Sequence, residues 1–169
     1  MSTENLNQKK AVEKLKELSE SARICMFCTE LTHLPNNSRP MTIQECDEEG
    51  NLWFISSSDS NKNFEIKDDN RVQLYFMNNG SAEYLHIYGK AFIYKDKSTI
   101  EDKWSALANV WFEEGEEDPN VSIIRVTPDE TYYWDTKAGK FVTMLHFFTA
   151  AVTGNKSEGD DGVEGNLKI

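Results

Sequence analysis

The sequence predicts a mainly β (α+β) protein, built as an antiparallel β-barrel with helices at its periphery. Three observations carry this prediction. About six segments have the alternating, β-branched or aromatic composition of strands. Most of these segments follow one another through short turns, which antiparallel strands allow and parallel strands do not. The glycine fingerprint of a dinucleotide-binding parallel sheet is missing, and helices do not follow nearly every strand.

Composition excludes several classes of function. The 169-residue chain has a formal net charge of −11 at pH 7, which disfavours nucleic acid and anionic membrane surfaces as partners. It has no apolar stretch of membrane-spanning length and no signal-peptide core near its start, so a cytoplasmic protein is expected. Cys25, Cys28 and Cys46 lie among apolar residues and are expected to be reduced, buried thiols. We expect no metal, because a Cys25-x-x-Cys28 pair on a strand faces opposite sides and no second ligand pair follows.

A helix and a strand open the predicted fold. Residues 4–21 form an amphipathic helix, because Val12, Leu15, Leu18 and Ala22 fall on one stripe and lysines and glutamates lie elsewhere. A strand over residues 23–29 follows it. The segment LTHLPNNS is then a loop, since proline and asparagine interrupt the pattern.

A β-hairpin followed by a short helix is the most informative part of the chain. Its strands are predicted over residues 39–46 and 51–57, joined by the acidic turn DEEG. Cys46 is expected to pair with Asn51 across this turn. The run SSSDSNKNFEIKDD starts a helix just beyond the second strand, with a serine or an aspartate as its N-cap.

The register of this hairpin brings cationic and hydroxyl side chains to one end of it. Arg39 falls opposite Ser58, beside the hydroxyls of Ser56–Ser60 and close to Lys62 at the helix start. A guanidinium, hydroxyls, an ammonium and the positive end of a helix suit a phosphate group. The sequence therefore predicts a phosphate site here. Asp59 would repel a phosphate unless its side chain caps the helix facing outward.

The second half of the chain adds more strands and one helix. They are strands over 71–78, 82–95, 121–127 and 131–135 and a helix over 97–112. Residues 82–95 alternate an apolar face with a polar, aromatic face, on which His86 is a candidate proton donor or a structural residue. Thr99 and Asp102 form a capping box for the helix. Trp104 and Trp111 lie seven residues apart on it, which favours core or dimer packing over a cofactor wall.

The end of the chain differs in composition from the rest. From Thr153 on, the sequence is rich in glycine and charge and has few apolar residues, so it is expected to be disordered. The predicted organisation is one domain over residues 1–154, including the N-terminal helix, followed by a flexible polar tail over residues 155–169.

The order and spacing of several short motifs resemble the FMN-binding split barrels related to pyridoxamine 5′-phosphate oxidase, nearest their general-stress-protein branch. These motifs are R-P-M, D-x-x-G-x-x-W-F, S-x-x-S-x-K, G-K-A, W-F before an acidic loop, and V-x-P-x-x-x-x-Y-W-D. The resemblance covers roughly residues 5–154. It implies a six-stranded antiparallel split β-barrel with Greek-key connections and peripheral helices. It also implies a homodimer with FMN in each of two grooves between the subunits.

The resemblance assigns a phosphate site to matching positions of this chain. Arg39 and Lys62 would hold the FMN phosphate, with Ser60 and Asn61 beside them. Asn61 stands where the oxidase has an arginine, so this chain would offer one cation fewer.

The resemblance also assigns contacts to the flavin ring. Met41 and Thr42 would border the ring, and Ile55 and Ser56 would supply backbone contacts to its pyrimidine edge. Trp134 would reach the flavin from the partner subunit. Considered on its residues alone, Trp134 fits core packing as well as flavin contact.

The chain departs from the oxidase in two places. Tyr84 and Leu85 fall where the oxidase has a glutamine of the partner subunit. After its final tryptophan the oxidase has an R-x-H segment for the substrate phosphate, whereas this chain offers Lys137, Lys140 and His146 but no arginine. A site made to pair a phosphate loses strongly when the pairing groups go. The sequence therefore predicts that this is not a pyridoxamine 5′-phosphate oxidase.

Two classes of function remain from the sequence. One is an FMN-dependent oxidoreductase acting on a small molecule or a reduced nicotinamide, with the catalytic residue unknown because the flavin performs the chemistry. The other is a non-catalytic flavin-binding stress-response protein that stores or senses FMN. A weaker alternative is another planar cofactor, such as haem or a deazaflavin. His33, in the Pro/Asn loop, is placed to edge the pocket entrance.

Overall fold

The computed structural model describes residues 2–136 and 162–169 of the 169-residue chain. The strands in these ranges are β1 (Ser2–Thr3), β2 (Leu6–Asn7), β3 (Ile24–Thr29), β4 (Asn37–Cys46), β5 (Leu52–Ser57), β6 (Arg71–Asn78), β7 (Glu83–Tyr94), β8 (Val121–Thr136) and β9 (Gly162–Lys168). The helices are α1 (Gln8–Ala22), α2 (Asn61–Asp68), α3 (Lys97–Lys103) and two 3₁₀ helices, Ala106–Val110 and Gly115–Glu117. Among the helices in these ranges, none has the length and hydropathy needed to cross a membrane.

Six of these strands close into an antiparallel barrel, which confirms the predicted fold class. The order around the barrel is β3, β4, β5, β8, β7 and β6, with β6 pairing back to β3. Alternate side chains point inward, so the barrel interior is the main hydrophobic core. At its centre the rings of Phe27 and Phe54 meet edge to face, with centroids 5.4 Å apart.

Helices close the two ends of the barrel. At one end, α1 buries its leucine stripe in the core, and Ser21 near its end donates a hydrogen bond to Glu83 at the start of β7. At the other end lies α2, where Glu65 meets Thr29 at the end of β3. The site predicted from the hairpin belongs to this second end.

The two outer faces of the barrel differ. Over β5 and β8, α3 and the first 3₁₀ helix pack a second apolar cluster, formed by Ile100, Ala108, Phe112, Val121 and Ile123. On the outer face of β3, β6 and β7, by contrast, large apolar side chains are exposed, namely Ile24, Tyr75, Met77 and Tyr84.

The turn of the hairpin corrects the predicted register. Cys46 pairs with Leu52 rather than Asn51. The reason is that the turn closes between Asp47 and Asn51, where Asp47 N–H donates to Asn51 O and its carboxylate accepts the Asn51 N–H. A bulge at Gln44 then brings Ile43 opposite Phe54, which is the pairing that the predicted register requires.

The single helix predicted over 97–112 is wrong. Asp96 caps α3 by accepting the Thr99 N–H, and α3 ends at Lys103, because Trp104 adopts an extended backbone. Trp104 instead packs on Phe112, with ring centroids 5.9 Å apart, so burial of these rings over β8 outweighs a continuous helix. Trp111 is 73% exposed, so the two tryptophans do not share a buried face.

The chain termini also differ from the prediction. The helix begins at Gln8 rather than residue 4, because the residues before it form β1 and β2, which pair in parallel with β9. β9 also pairs with β8, so the expected disorder is wrong for Gly162–Lys168. Residues 155–161 of the predicted tail lie outside the described residues, and the division into domain and tail otherwise stays a prediction. The two strands predicted around Pro128 form one strand, β8.

Candidate functional site

The predicted cationic site lies where β3 and β4 meet α2. Arg39 on β4 is in register with Phe27 on β3, and its side chain reaches the barrel end beyond that buried ring. Its Nη1 donates to Thr29 Oγ1 at 2.6 Å and its Nη2 donates to Glu65 Oε2 at 2.8 Å. These two bonds fix the orientation of the guanidinium. Since a guanidinium carries five N–H donors, further donors remain for an anion.

Glu65 is held as a carboxylate in this arrangement. It accepts the Thr29 hydroxyl at 2.5 Å and Asn37 Nδ2 at 2.7 Å. Burial raises the pKa of Glu65, but the Thr29 hydrogen bond and the charge of Arg39 outweigh burial and lower it. Glu65 therefore positions Arg39 and neutralises part of its charge.

Lys62 lies close enough to Arg39 for the two cations to repel. Its Nζ donates to Ser60 Oγ at 3.0 Å. The pKa of Lys62 is lowered, first by burial and next by the charge of Arg39, although Glu65 and Asp59 act in the opposite sense. An anion bound near both cations would relieve this repulsion. The structure thus brings Arg39, Ser60 and Lys62 together, as the sequence predicted.

The start of α2 is open to a ligand. Ser60 is its N-cap residue, as expected, with φ −72° and ψ 147°, but no side chain caps the helix. The Ser60 hydroxyl instead donates to Ser57 O at 2.7 Å. The first amides of α2 therefore keep the positive end of the helix available to an anion. Asp59 is exposed and accepts a hydrogen bond from the Ser57 hydroxyl, and Asn61 is exposed on the first turn.

A buried polar network anchors α2, and the sequence reasoning missed it. Ser56 donates to Asn63 Oδ1 at 3.0 Å, Asn63 Nδ2 donates to Ser122 Oγ at 2.7 Å, and the Ser122 hydroxyl donates to Ser56 O at 3.0 Å. Asn63 and Ser122 are both fully buried. Because every member has a partner, the network fixes the start of α2 against β5 and β8. The sequence feature that could have indicated this network is the asparagine directly after the S-x-x-S-x-K motif.

The residues predicted to border a flavin ring lie near this end but face different ways. Met41 is 8% exposed and belongs to the core, so only its main chain can meet a ligand. Thr42, next along β4, is half-buried on the opposite face. The Ile55 side chain packs in the outer cluster over β5, and the Ser56 hydroxyl is committed to the network. The assignment of these four residues to a flavin stays a prediction.

Trp134 lies in a different part of the molecule. It is half-buried on β8, in register with Tyr84, and its ring lies 4.7 Å from that of Tyr132 between centroids. The row of strand partners through Arg39 ends at Thr131, three residues before Trp134 along β8. Within the described residues, no contact links Trp134 to Arg39. One chain therefore does not bring these two predicted contacts together.

The described histidines lie outside the cationic site, and of the cysteines Cys28 is near enough to be affected by the charge of Arg39. His86 stacks on Tyr75 on the outer face of β7, and His33 is exposed in its loop. Burial raises the pKa of all three thiols, that of Cys46 to about 12, so they stay protonated. The prediction of buried, reduced cysteines is confirmed. Lys137, Lys140 and His146, which bear on a second phosphate site, lie outside the described residues.

A surface pocket of about 670 Å³ lies away from this site, at the acidic turn of the hairpin. It carries four carboxylates and one lysine, which makes it unsuitable for a phosphate. Its lining consists of Asp47, Glu48, Glu49, Trp53, Ser98, Thr99, Asp102 and Lys103.

Comparison with known proteins identifies a matching family model and solved structures with a similar fold. The family model described as pyridoxamine 5′-phosphate oxidase like matches residues 10–158. A solved protein of Jannaschia sp. CCS1, described as a candidate general stress protein 26, superposes with a TM-score of 0.76 and 19% identity, covering 96% of this chain and 99% of that one. The general stress FMN/FAD binding protein of Xanthomonas citri superposes with a TM-score of 0.65 and 26% identity, covering 75% of this chain and 89% of that one.

A curated relative shows a partial match. The protein bli-3 of Neurospora crassa is 26% identical over 105 residues, which are 57% of this chain and 50% of that protein. The chain thus spans about half the length of this relative.

Proposed function

Because the chain belongs to the pyridoxamine 5′-phosphate oxidase-like family, we propose that it is an FMN-binding flavoprotein whose cofactor phosphate lies at the start of α2. The observation that carries this proposal is the pairing of two cations there. Lys62 is disfavoured as a cation by burial and by Arg39, and the oriented guanidinium has donors to spare. A terminal phosphate monoester carries about two negative charges near neutral pH, so it matches this pair.

The arrangement favours FMN over other flavins. Riboflavin has no phosphate to engage Arg39 and Lys62. FAD carries a diphosphate ester with adenosine attached, and each of its phosphates bears one charge. The Xanthomonas citri relative is described as an FMN/FAD binding protein, which supports a flavin in general. Two adjacent cations and an uncapped helix start support the monoester form in particular.

The other residues proposed to contact the cofactor would hold the flavin ring through their main chain rather than through charged side chains. Met41 and Thr42 on β4 and Ile55 and Ser56 on β5 are proposed to border the flavin through their backbones. Their side chains point largely into the core, the outer cluster or the buried network. Asn61, exposed on the first turn of α2, is proposed to lie beside the phosphate with Ser60.

We further propose a homodimer in which Trp134 approaches the flavin of the partner subunit. The Trp134 side chain lies on the outer face of β8, whereas Arg39 is held at the α2 end of the barrel by Thr29 and Glu65. The outer face around Trp134 carries the large side chains of Ile24, Tyr75, Met77, Tyr84 and Tyr132, and Glu164 of β9 lies in register with Trp134 at its edge. An exposed apolar face of this kind suits burial against a second copy of the chain.

The activity proposed for this site is oxidoreduction of a small molecule, with a reduced nicotinamide as one candidate donor. Bound flavin would supply the redox chemistry, and the protein would hold and orient it. Arg39, Lys62 and the start of α2 fix the phosphate, and the Ser56–Asn63–Ser122 network keeps α2 in place. The substrate is proposed to be less anionic than pyridoxamine 5′-phosphate, so this is not that oxidase.

A non-catalytic flavin store or sensor is the second candidate function. It is favoured by the chemistry of the described cationic site, where Glu65 is held ionised and burial keeps the nearby Cys28 thiol protonated, so neither group is poised for proton transfer. Consumption of NADH or NADPH by FMN-loaded protein with an electron acceptor would support the oxidoreductase. Tight FMN binding without turnover across donors would support the store.

The first experiment is the absorption spectrum of the protein as purified, followed by titration with FMN, FAD and riboflavin. The proposal expects a flavin spectrum, or none with uptake of FMN on titration, and FMN bound most tightly of the three. A haem spectrum, or riboflavin bound as tightly as FMN, would contradict it.

A further inference from the structure

One outer face of the barrel carries aromatic and apolar side chains at consecutive strand positions. We call it the aromatic face, and it consists of Ile24, Tyr75, Met77, Tyr84, His86, Tyr132 and Trp134. Register joins six of these residues across β6, β7 and β8, where Met77 pairs with Tyr84 and Tyr84 with Trp134, and Ile24 lies at the start of the neighbouring β3. Met77 is 54% exposed and Ile24 is 55% exposed. Such a face is suited to burial against another apolar surface.

His86 is the one ionisable nitrogen base in this face. Its ring stacks on Tyr75, with centroids 4.9 Å apart and planes 17° apart. Its Nε2 is buried and has no hydrogen-bond partner among the described residues. An unpartnered buried nitrogen is costly for a neutral imidazole and more costly for an imidazolium. The face is therefore sensitive to the protonation of His86.

The groups around His86 offer little compensation for a positive charge. From β6 it faces Tyr75, and from β8 it faces Tyr132 in register. On its own strand the same side carries Tyr84 and Tyr88. Glu130 of β8 is the charged group that acts directly on His86, and it favours the imidazolium. Glu164 of β9 lies one strand further, where burial and then the charge of Glu164 raise the pKa of the Tyr132 phenol.

We propose that His86 makes self-association of the chain through the aromatic face dependent on pH, with the dimer favoured while the imidazole is neutral and weakened when it is protonated. This inference rests on the homodimer proposed above. It adds a proton-linked control to that dimer, and through it to a flavin contact made across the interface.

Burial of His86 determines whether protonation strengthens or weakens the dimer. Burial lowers the pKa of His86 below its ordinary value in the single chain, and it outweighs Glu130. A second copy adds burial, so protonation favours the free chain. His86 therefore supports the dimer above its pKa in the free chain, which lies below the ordinary value of about 6.5, and this support is lost as the pH falls through the free-chain pKa. Carboxylates act in the opposite sense, because their protonation at lower pH reduces the repulsion between two acidic chains.

The test is sedimentation of the full-length protein as purified, over a range of concentrations, at about pH 7.5 and about pH 5.5. Few groups other than histidine titrate in this window, and the chain has three histidines. The dimer dissociation constant is expected to rise about tenfold or more between the two pH values. The variants His86→Gln and His86→Asn remove the titration and are expected to flatten this dependence. His33→Gln, at an exposed loop position, is the matched control and should behave as the parent.

Each outcome has one meaning. A dissociation constant that changes with pH in the parent and in the His33 control, but not in the His86 variants, supports the inference. A dimer whose dissociation constant is the same at both pH values overturns it, as does pH dependence that persists without His86. A protein that is monomeric at both pH values defeats the proposed dimer itself, which is a distinct result.

Discussion

The α2 end of the barrel and the aromatic face differ in how completely one chain builds them. At the α2 end, Arg39 is oriented by Thr29 and Glu65, and α2 is anchored by a buried network in which each polar group has a partner. The aromatic face has exposed Met77 and an unpartnered His86 nitrogen. Charged groups must be positioned within the chain because their desolvation is costly, whereas an apolar face can be completed by a partner.

The largest expected effect comes from disrupting the buried polar network that anchors α2. Asn63→Ala leaves the hydroxyls of Ser56 and Ser122 buried without their amide partner. We expect the free energy of unfolding to fall by about 2–4 kcal/mol, because two buried hydrogen bonds of about 0.5–1.5 kcal/mol each are lost and a cavity adds to the cost. Urea denaturation followed by circular dichroism measures it. Asn61→Ala, on the exposed start of α2, should change stability by less than about 0.5 kcal/mol. Equal losses in both variants would refute the network's role.

The second effect comes from placing a charge in the aromatic face, where the dimer is proposed to form. Met77→Glu places a carboxylate in the aromatic face, where a second copy would have to bury it unpaired. We expect the dimer dissociation constant to rise by about 100-fold or more while the monomer fold is kept, since Met77 is exposed in the single chain. Sedimentation gives this constant. Val110→Glu, which is also exposed but lies over β8, is the control. If Val110→Glu dissociates the dimer and Met77→Glu does not, the interface has been assigned to the wrong face.

The third effect concerns the contribution of the Glu65 carboxylate to stability at the α2 end. The pKa of Glu65 is lowered in the fold, so its stabilising contribution is present above the unfolded value of about 4.5 and is lost as the pH falls through the folded value. Glu65→Gln should cost about 1–3 kcal/mol at neutral pH and less at about pH 3.5. Thermal unfolding at several pH values measures the difference. A cost that does not shrink on acidification would show that Glu65 acts by packing alone.

The strands of the barrel were predictable because their pattern is local. Inward and outward residues alternate along β7, and the structure keeps Leu85 and Ile87 in the core as the sequence indicated. The meeting of Arg39 with Lys62 was also predictable, although the turn register was wrong. This prediction was still correct because the bulge at Gln44 shifts the strand pairing back by one residue.

The features that the sequence did not predict depend on contacts between distant residues. β9 has few apolar residues, and its order comes from main-chain pairing with β8, β1 and β2. Gly165 allows this close approach, since a Cβ there would lie 1.9 Å from Glu4 O. The break at Trp104 and the burial of Asn63 likewise reflect partners far along the chain. Hydrophobic periodicity carries no signal for such pairs.

The central claim is that the chain binds FMN through its phosphate at Arg39 and Lys62. The measurement that tests it most directly is titration of the parent, Arg39→Ala and Lys62→Ala with FMN and with riboflavin. Each substitution removes one charge-assisted contact of about 1.5–3 kcal/mol, so FMN affinity should fall about 10- to 150-fold. Riboflavin affinity should hardly change, and Arg71→Ala, whose side chain pairs with Asp69, should bind FMN as the parent does. FMN affinity that is unchanged in both variants, or that falls in step with riboflavin affinity, would contradict the claim.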